Sequence, residues 1–531
     1  MMKNMTDQDL KVLYDLSIYN CNHFAPYTQI IYEDQQQTRS YTNVELAREA
    51  TQLSESLRSL GVEKGDRVLV MMINSPEVLI SYQALAKLGA VAIPVLPLLK
   101  GPEVHYIAQN SGAKAILTGA LLLHLLRPAL SGLPTMRYII STGITEAQLA
   151  NEQAVPQLLS YESILARGAA KADTYLSGME GVDISPNDTA VILYTSGTTG
   201  NPKGVMLSHN NLMQNALSSR GADMEPGDAN LAILPLAHAF GILMSNVAYL
   251  AGTKVVMHPR FDTTAVLAAI QRHRITAFAG VPAMFVALLF TPDADAYDTS
   301  SLQYCVSGSA PLPVHVLEGF QQKFHCEIRE GYGLSEGTTA LTGHTLDLPV
   351  KPGSVGKPLP GVEVRVVDPT DKPLPAGEIG EVVARGPNIM QGYYNMPEAT
   401  AAALRNGWLH TGDMGRFYED GYLYILERKK DLIIRGGLNV YPRDVEEVLA
   451  TYPSVIEAAV VGVPSERMGE EVKAFVVTRI PIDAETLMAY CRERLANYKT
   501  PREIEFVHAL PRNAIGKIDK KALRKLAGER Q

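Results

Sequence analysis

Cysteine is scarce, long apolar runs are missing and positive charge is in deficit. The 531-residue chain has four cysteines, Cys21, Cys305, Cys326 and Cys491, far apart in sequence and without a Cys-x-x-Cys pair. A disulfide framework is therefore excluded, and the four read as reduced, mostly buried thiols. The greasiest stretch, 121–130, is broken by His124, Arg127 and Pro128, and the acidic residues 1–9 lack the apolar segment of a signal peptide. Neither a membrane span nor a secretory leader is expected, and the protein is placed in the cytoplasm. Lys and Arg number 48 against 56 Asp and Glu, a net charge of −8, which disfavours nucleic acid as the main partner. An anionic ligand would need local basic groups.

What is present is material for large cores: 46% of residues are apolar and 20% charged. At roughly 100 to 200 residues per domain the length suits two to four domains. Thr42-Asn-Val-Glu45 is a capping box ahead of Leu46, Ala50, Leu53, Leu57 and Leu60, and predicts a helix after Thr42 that stops at Gly61. Segment 67–72 reads as a buried strand, Ser75-Pro76 as a helix start, Gly89 as its stop and 90–95 as a second strand, a β-α-β unit. Strand signals recur at 190–194, 231–234, 254–257, 277–279 and 304–306, with helical periodicity at 264–272 and 314–324.

From about Pro349 closely spaced strands take over at 362–367 and 381–384, with a Glu419-Asp420-Gly421 turn before 422–426. The last hundred residues carry their own signals at 442–449, 458–463, 473–478 and 484–495. The expected fold is α/β. Residues 1–428 form a large domain of helix-covered, mainly parallel sheets, with a β-rich, barrel-like subdomain at about 349–428. Residues 429–531 form a small α+β domain, and any movement between the two pivots near 428–431.

After the strand ending at Tyr194 comes Thr195-Ser-Gly-Thr-Thr-Gly-Asn-Pro-Lys-Gly204. Glycines let successive N–H groups converge on an anion, hydroxyls add donors and Lys203 adds a charge, which together make a phosphate cradle. It is not a Walker A loop, because Lys203 lies between Pro202 and Gly204. The loop resembles the signature of the acyl-adenylate-forming superfamily, which holds acyl-CoA synthetases, adenylation domains of peptide synthetases and beetle luciferases. Further segments agree in order and spacing: Pro235-Leu-Ala-His-Ala-Phe-Gly241, Ser307-Gly-Ser-Ala-Pro311, Gly331-Tyr-Gly-Leu-Ser-Glu336, Trp408-Leu-His-Thr-Gly-Asp413, Arg428-Lys-Lys-Asp431, Arg435-Gly-Gly-Leu-Asn-Val-Tyr-Pro442 and Pro511-Arg-Asn-Ala-Ile-Gly-Lys517. The texture is most similar to fatty and related acyl-CoA synthetases.

The resemblance implies a ligase that uses ATP, Mg²⁺ and coenzyme A to turn a carboxylic acid into acyl-AMP and then acyl-CoA, with a mobile C-terminal domain. By similarity Thr195, Ser196, Gly197, Thr198, Thr199, Gly200 and Lys203 would hold the β and γ phosphates. Glu336 would bind Mg²⁺, and Ser335, where relatives more often have Thr, would reach the α-phosphate. Asp413 would take the ribose hydroxyls with help from Arg428, while Ser309, Ala310, Glu330, Gly331, Tyr332 and Gly333 would surround the base. Lys517 would neutralise charge between the attacking carboxylate and the α-phosphate, although many relatives have Ser or Thr where Ile515 stands.

For thioester formation the small domain would pivot at Lys430 and bring Gly436 and Gly437 to the thiol channel, with His238 as gate. Phe240, Gly241, Val281, Met284, Ser307 and Gly337 would line the acyl pocket. No acidic residue stands in 235–241, where amino-acid-activating relatives keep an Asp. The acid is therefore expected to be a fatty, alicyclic or aromatic monocarboxylate. The resemblance allows a homodimer. Still open are delivery to a carrier protein, oxidation of the adenylate, and a catalytically silent nucleotide- or acyl-binding protein.

Overall fold

The computed structural model describes residues 6–34, 37–144, 149, 156–172, 182–195, 201–221, 224–512 and 517–528. Its first sheet has eight strands in the order Gly392–Tyr393, Lys203–Ser208, Thr189–Thr195, Val91–Pro94, Arg67–Met71, Ala115–Gly119, Tyr138–Thr142 and Gln157–Ser160. The last six run parallel, and the first three are joined antiparallel. The capping box closes as expected: the Thr42 hydroxyl accepts from the Glu45 N–H at 3.2 Å, opening the helix Asn43–Ser59. The helix Pro76–Leu88 begins with its proline and ends on Gly89 at φ 69°.

The second sheet has nine strands. Its parallel centre runs Glu327–Tyr332, Tyr304–Ser307, Ala277–Gly280, Ala229–Ala232, Lys254–Met257 and Thr28–Glu33, with antiparallel strands at both edges. Parallel sheets bury both faces. Here helices Ala239–Ala251 and Thr263–His273 contribute to separate apolar clusters. The strand expected at 231–234 starts two residues earlier. Asn230 and Leu231 pair with both neighbouring strands, while the Leu234 carbonyl, beyond the strand's end at Ala232, accepts from Asn74 Nδ2 at 2.8 Å.

The β-rich part is an antiparallel five-stranded sheet of Glu363–Val367, Gly380–Arg385, Leu404–Arg405, Trp408–Phe417 and Leu423–Arg428. Within 349–428, the strand Gly392–Tyr393 departs to pair with Lys203–Ser208, so that stretch is not one structural piece. A separate core built only from residues 433–527 carries the C-terminal sheet and helices Pro442–Ala450, Ala484–Arg494 and Lys520–Gly528. Cys305, on the strand Tyr304–Ser307, meets Cys326, just before the adjacent strand Glu327–Tyr332, with sulfurs 3.6 Å apart, both buried and free. No described helix is long and apolar enough to cross a membrane.

Candidate active site

A cleft of about 1300 Å³ opens between the sheets and the C-terminal part. At one end the register puts Lys203 opposite Thr195, so both ends of the glycine- and hydroxyl-rich loop are fixed. Ser196, Gly197, Thr198, Thr199 and Gly200 lie outside the described residues. A Cβ on Gly204 would come within 2.9 Å of Ile192, and the Gly204 carbonyl accepts from the Tyr394 N–H at 2.7 Å. The Lys203 ammonium lies 4.8 Å from the centroid of the Tyr393 ring, a cation–π contact.

Glu336 stands in the short turn Ser335–Gly337. Behind it Thr338 and Thr339 adopt φ of 58° and 108°, conformations that cost roughly 1–3 kcal/mol each for residues with a Cβ. Asn388 holds this strain: its Nδ2 donates to the carbonyls of Gly337 and Ala340, each at 3.0 Å, and its backbone carbonyl accepts from the Thr338 hydroxyl. Only glycine fits at 333, where a Cβ would fall 1.5 Å from the Thr339 carbonyl oxygen. The Tyr393 hydroxyl donates to Glu336 Oε1 at 2.8 Å. Burial and the Glu336 charge push that phenol far above its ordinary range, so it stays a donor. Tyr393 therefore touches both Lys203 and Glu336, and sequence reasoning had passed over it.

Among the described residues no group of three or more carboxylate, imidazole or thiolate side chains is arranged to hold a metal ion by itself. A Mg²⁺ ion would rest on Glu336 and on oxygens of the nucleotide. This donor set fits an ion that keeps waters and is usually carried by one or two carboxylates plus phosphates.

The end of the cleft expected to take the nucleoside is built on two neighbouring parallel strands, Tyr304–Ser307 and Glu327–Tyr332, followed by Ser309-Ala310 and Gly333. Ser309 has φ 72°. The buried Glu330 carboxyl, expected at the base, lines the cleft and also holds this loop, accepting from the Leu312 N–H at 3.1 Å through Oε1. Burial lifts its pKa to about 7. The Tyr332 hydroxyl donates to Asp413 Oδ2 at 2.6 Å, and Arg428, the cross-strand neighbour of Asp413, sets Nε 3.2 Å from Oδ1. Desolvation still raises the Asp413 carboxyl, with Arg428 and Tyr332 opposing.

Lys517 lines the same cleft, its pKa pushed down to about 8 by desolvation and by Arg428, against the pull of Asp413. His238 is the N-cap of helix Ala239–Ala251; its Nδ1 accepts from the Phe240 N–H at 3.2 Å. That bond leaves the proton of the neutral ring on Nε2. Desolvation and the nearby Lys517 charge hold the imidazole at about 4, so it is uncharged at neutral pH.

Of the expected acyl-pocket residues, Phe240, Gly241, Val281 and Ser307 line the cleft. Met284 and Gly337 are not in its wall: Met284 packs with Leu234, Phe240 and Ala279, and Gly337 sits under Leu334 and Leu341. A Cβ on Gly241 would meet the Pro235 carbonyl oxygen at 2.3 Å, so glycine there also seats the helix on the backbone before it. Lys430 reaches the cleft, whereas Gly436 and Gly437 do not; they turn a hairpin at φ 58° and 80°. Sequence reasoning missed the deep wall, formed by Met244, Val247 and Ala248 of the helix and by Val255, Ala277, Ala279 and Val306 of the sheet. The helical spacing of Phe240, Met244, Val247 and Ala248 was its signal.

Comparison with known proteins matches residues 19–394 to the model of the AMP-binding enzyme family and 444–517 to that of the AMP-binding enzyme C-terminal domain. A long-chain-fatty-acid–CoA ligase of Bacillus subtilis is 37% identical over 502 residues, covering 90% of this chain and 89% of the relative. A feruloyl-CoA synthase of Amycolatopsis is 36% identical, over 92% of this chain and 94% of its own. Among solved structures, the anthranilate CoA ligase AuaEII in complex with anthranoyl-AMP superposes with a TM-score of 0.89 at 29% identity, covering 99% of this chain and 100% of that one.

Proposed function

The chain belongs to the AMP-binding enzyme family, and from that premise we propose that it is an AMP-forming acyl-CoA synthetase acting on an apolar monocarboxylic acid. The observation that carries the reading is the meeting in one cleft of Lys203, Glu336, the Asp413–Arg428 pair and Lys517, beside an apolar recess. A lysine and a Mg²⁺-holding carboxylate at one end and a desolvated ammonium at the junction suit attack of a carboxylate on a phosphate ester.

In the first step a carboxylate oxygen of the acid attacks the α-phosphorus of ATP and pyrophosphate leaves. Both partners are anions, so positioning and electrostatic stabilisation supply most of the rate. Lys203 holds the leaving end from the rim of its loop. Asp413 accepts from the ribose hydroxyls with its two oxygens, oriented by Tyr332 and Arg428. Lys517 meets the charge that builds between carboxylate and phosphate; with a pKa of about 8 it is mostly protonated at pH 7. Glu336 would hold Mg²⁺, which when bound draws charge from the phosphate oxygens, while the Ser335 hydroxyl reaches the α-phosphate. Tyr393 keeps Glu336 aimed at that position.

In the second step the thiol sulfur of coenzyme A attacks the acyl carbon and AMP leaves. We take residues 1–428 and 429–531 as the two moving parts and Lys430 as the pivot. Turning there withdraws Lys517 and brings Gly436 and Gly437 to the thiol path, where backbone without side chains leaves room for pantetheine. His238, neutral at working pH, stands between the two paths as the gate. An enzyme drawing on ATP and coenzyme A belongs in the cytoplasm, where both are available.

The recess between helix Ala239–Ala251 and the nine-stranded sheet supports the choice of acid. Its wall is apolar, and the carboxylate nearest in sequence to the base-binding turn, Glu330, is engaged by the Leu312 backbone. Fatty, alicyclic and aromatic monocarboxylates fit this chemistry. The test is a panel of such acids assayed for ATP–pyrophosphate exchange and then for thiol-dependent AMP release. Several acids should support both; a protein that never exchanges pyrophosphate with any acid refutes the reading.

A further inference from the structure

Three residues beyond Lys517, Lys520 opens the helix Lys520–Gly528 with its ammonium between two carboxylates. It lies 2.8 Å from Glu427 Oε2 and 3.1 Å from Glu446 Oε1, and all three side chains are largely shielded from water. The two carboxylates belong to different parts of the molecule. Glu427 is on the strand Leu423–Arg428 of the β-rich sheet. Glu446 is on the helix Pro442–Ala450 of the C-terminal part, where its Oε1 also accepts from the Val460 N–H at 2.8 Å.

We propose that Lys520 is a positioning residue, a latch that ties the C-terminal part to the β-rich sheet in the posture that puts Lys517 in the cleft. The inference rests on the two-step ligase reading for what Lys517 does there, but not for the contact itself. Three residues span roughly 10 Å at most, and this segment has little slack. Ile518 bridges to Arg512, the Asp519 N–H donates to the Pro511 carbonyl at 2.8 Å, and Asp519 Oδ1 accepts from the N–H groups of Lys521 and Ala522 at 3.0 Å each. Fixing Lys520 therefore fixes Lys517.

Without the Lys520 charge, Glu427 and Glu446 would face each other across the joint in a poorly hydrated gap. Separation of the two parts would relieve that repulsion, so the same three groups that favour the closed posture would drive it open once the cation is gone. Another contact across the joint sets no like charges against each other: Arg443, paired with Glu447 of its own helix at 2.8 Å, donates to the Ile425 carbonyl.

The test uses the full-length protein with Lys520→Met, which keeps most of the side-chain volume, Glu427→Gln, which leaves the Lys520–Glu446 pair intact, and Lys520→Arg. ATP–pyrophosphate exchange should fall about 100-fold in Lys520→Met and about tenfold in Glu427→Gln. Thioester formation from supplied acyl-AMP and coenzyme A should stay within about twofold, and Lys520→Arg should restore most of the exchange. A reaction-free readout accompanies these: trypsin should cut the 428–430 segment faster in both charge-removing variants than in the unaltered protein. Unchanged exchange, or equal loss of both half-reactions, overturns the latch. Should the unaltered protein exchange no pyrophosphate, the ligase reading falls, and the tryptic rates alone decide the latch: faster cutting supports it, equal rates overturn it.

Discussion

Lys517 and Lys520 are separated by two residues, yet their surroundings drive them in opposite directions. Around Lys517 stand Arg428 and a desolvated cleft, which outweigh Asp413 and pull its pKa down to about 8. Around Lys520 stand Glu427 and Glu446, which outweigh desolvation and push its pKa well up. A buried ammonium compensated by two protein carboxylates is a structural tie. One that is desolvated and feels a neighbouring guanidinium gives up its proton more readily, and in the proposed reaction an arriving anion would favour its charged form again. Residue type and sequence position do not separate these roles; the sign of the neighbouring charges does.

The largest effect that can break the comparison is removal of the first lysine. Lys517→Ala should lower acyl-AMP formation by about three orders of magnitude or more, while supplied acyl-AMP and coenzyme A still give thioester at close to the normal rate. Equal damage to both half-reactions would place Lys517 with Lys520 as a structural cation. The pH profile sharpens the same point. The protonated form of Lys517 is the active one, so kcat/KM for pyrophosphate exchange should fall as pH rises through about 8, approaching tenfold per pH unit. Lys517→Arg, slow as it is, keeps its charge and should lack that limb. A profile flat to pH 10 in the unaltered protein would mean that Lys517 is not the titrating group.

A smaller effect belongs to Tyr393, which links Lys203 with Glu336. Tyr393→Phe removes a hydrogen bond to a charged group, a contribution of about 1.5 kcal/mol or more. KM for ATP with Mg²⁺ should rise about tenfold with the melting temperature little changed, and direct titration of nucleotide binding should show the same weakening. Unchanged affinity would mean that Glu336 is aimed by its own turn alone.

Much of this was legible in the chain. The helix Asn43–Ser59, the strand Thr189–Thr195 with its glycine-rich sequel, and the separate C-terminal core all follow from local signals of capping, apolar runs and turn residues. Local signals fail where a distant partner decides. Residues 233–234 are apolar like a strand, but the Leu234 carbonyl bonds to Asn74 rather than to a neighbour in the sheet. The Glu330 carboxyl, at the edge of the Gly-Tyr-Gly motif, also anchors the Leu312 N–H, a bond no local pattern announces. Tyr393 and Asn388 act on a turn more than 45 residues upstream, which no spacing rule reports. The deep apolar wall joins one face of a helix to three strands, and only the helical half leaves a periodic trace.

Asn388 gives the smallest effect and the cleanest separation of stability from chemistry. Its amide donates to two carbonyls of the turn that carries Glu336, and its backbone carbonyl accepts from Thr338, one of two adjoining non-glycine residues at positive φ. Asn388→Ala leaves the Gly337 carbonyl without this donor in a buried site, whereas Ala340 keeps a second bond from Asn215 Nδ2 at 2.7 Å. The net loss should be about 2 kcal/mol, read from the denaturant midpoint at constant slope. The backbone bond from Met390 to the Glu336 carbonyl, at 2.8 Å, survives the substitution and keeps the turn near its place. Nucleotide affinity should therefore change less than threefold, roughly 0.6 kcal/mol. A large fall in affinity with undiminished stability would show that the strained turn is tuned by Asn388 for binding, and that the anchoring of Glu336 is divided differently between Asn388 and Tyr393.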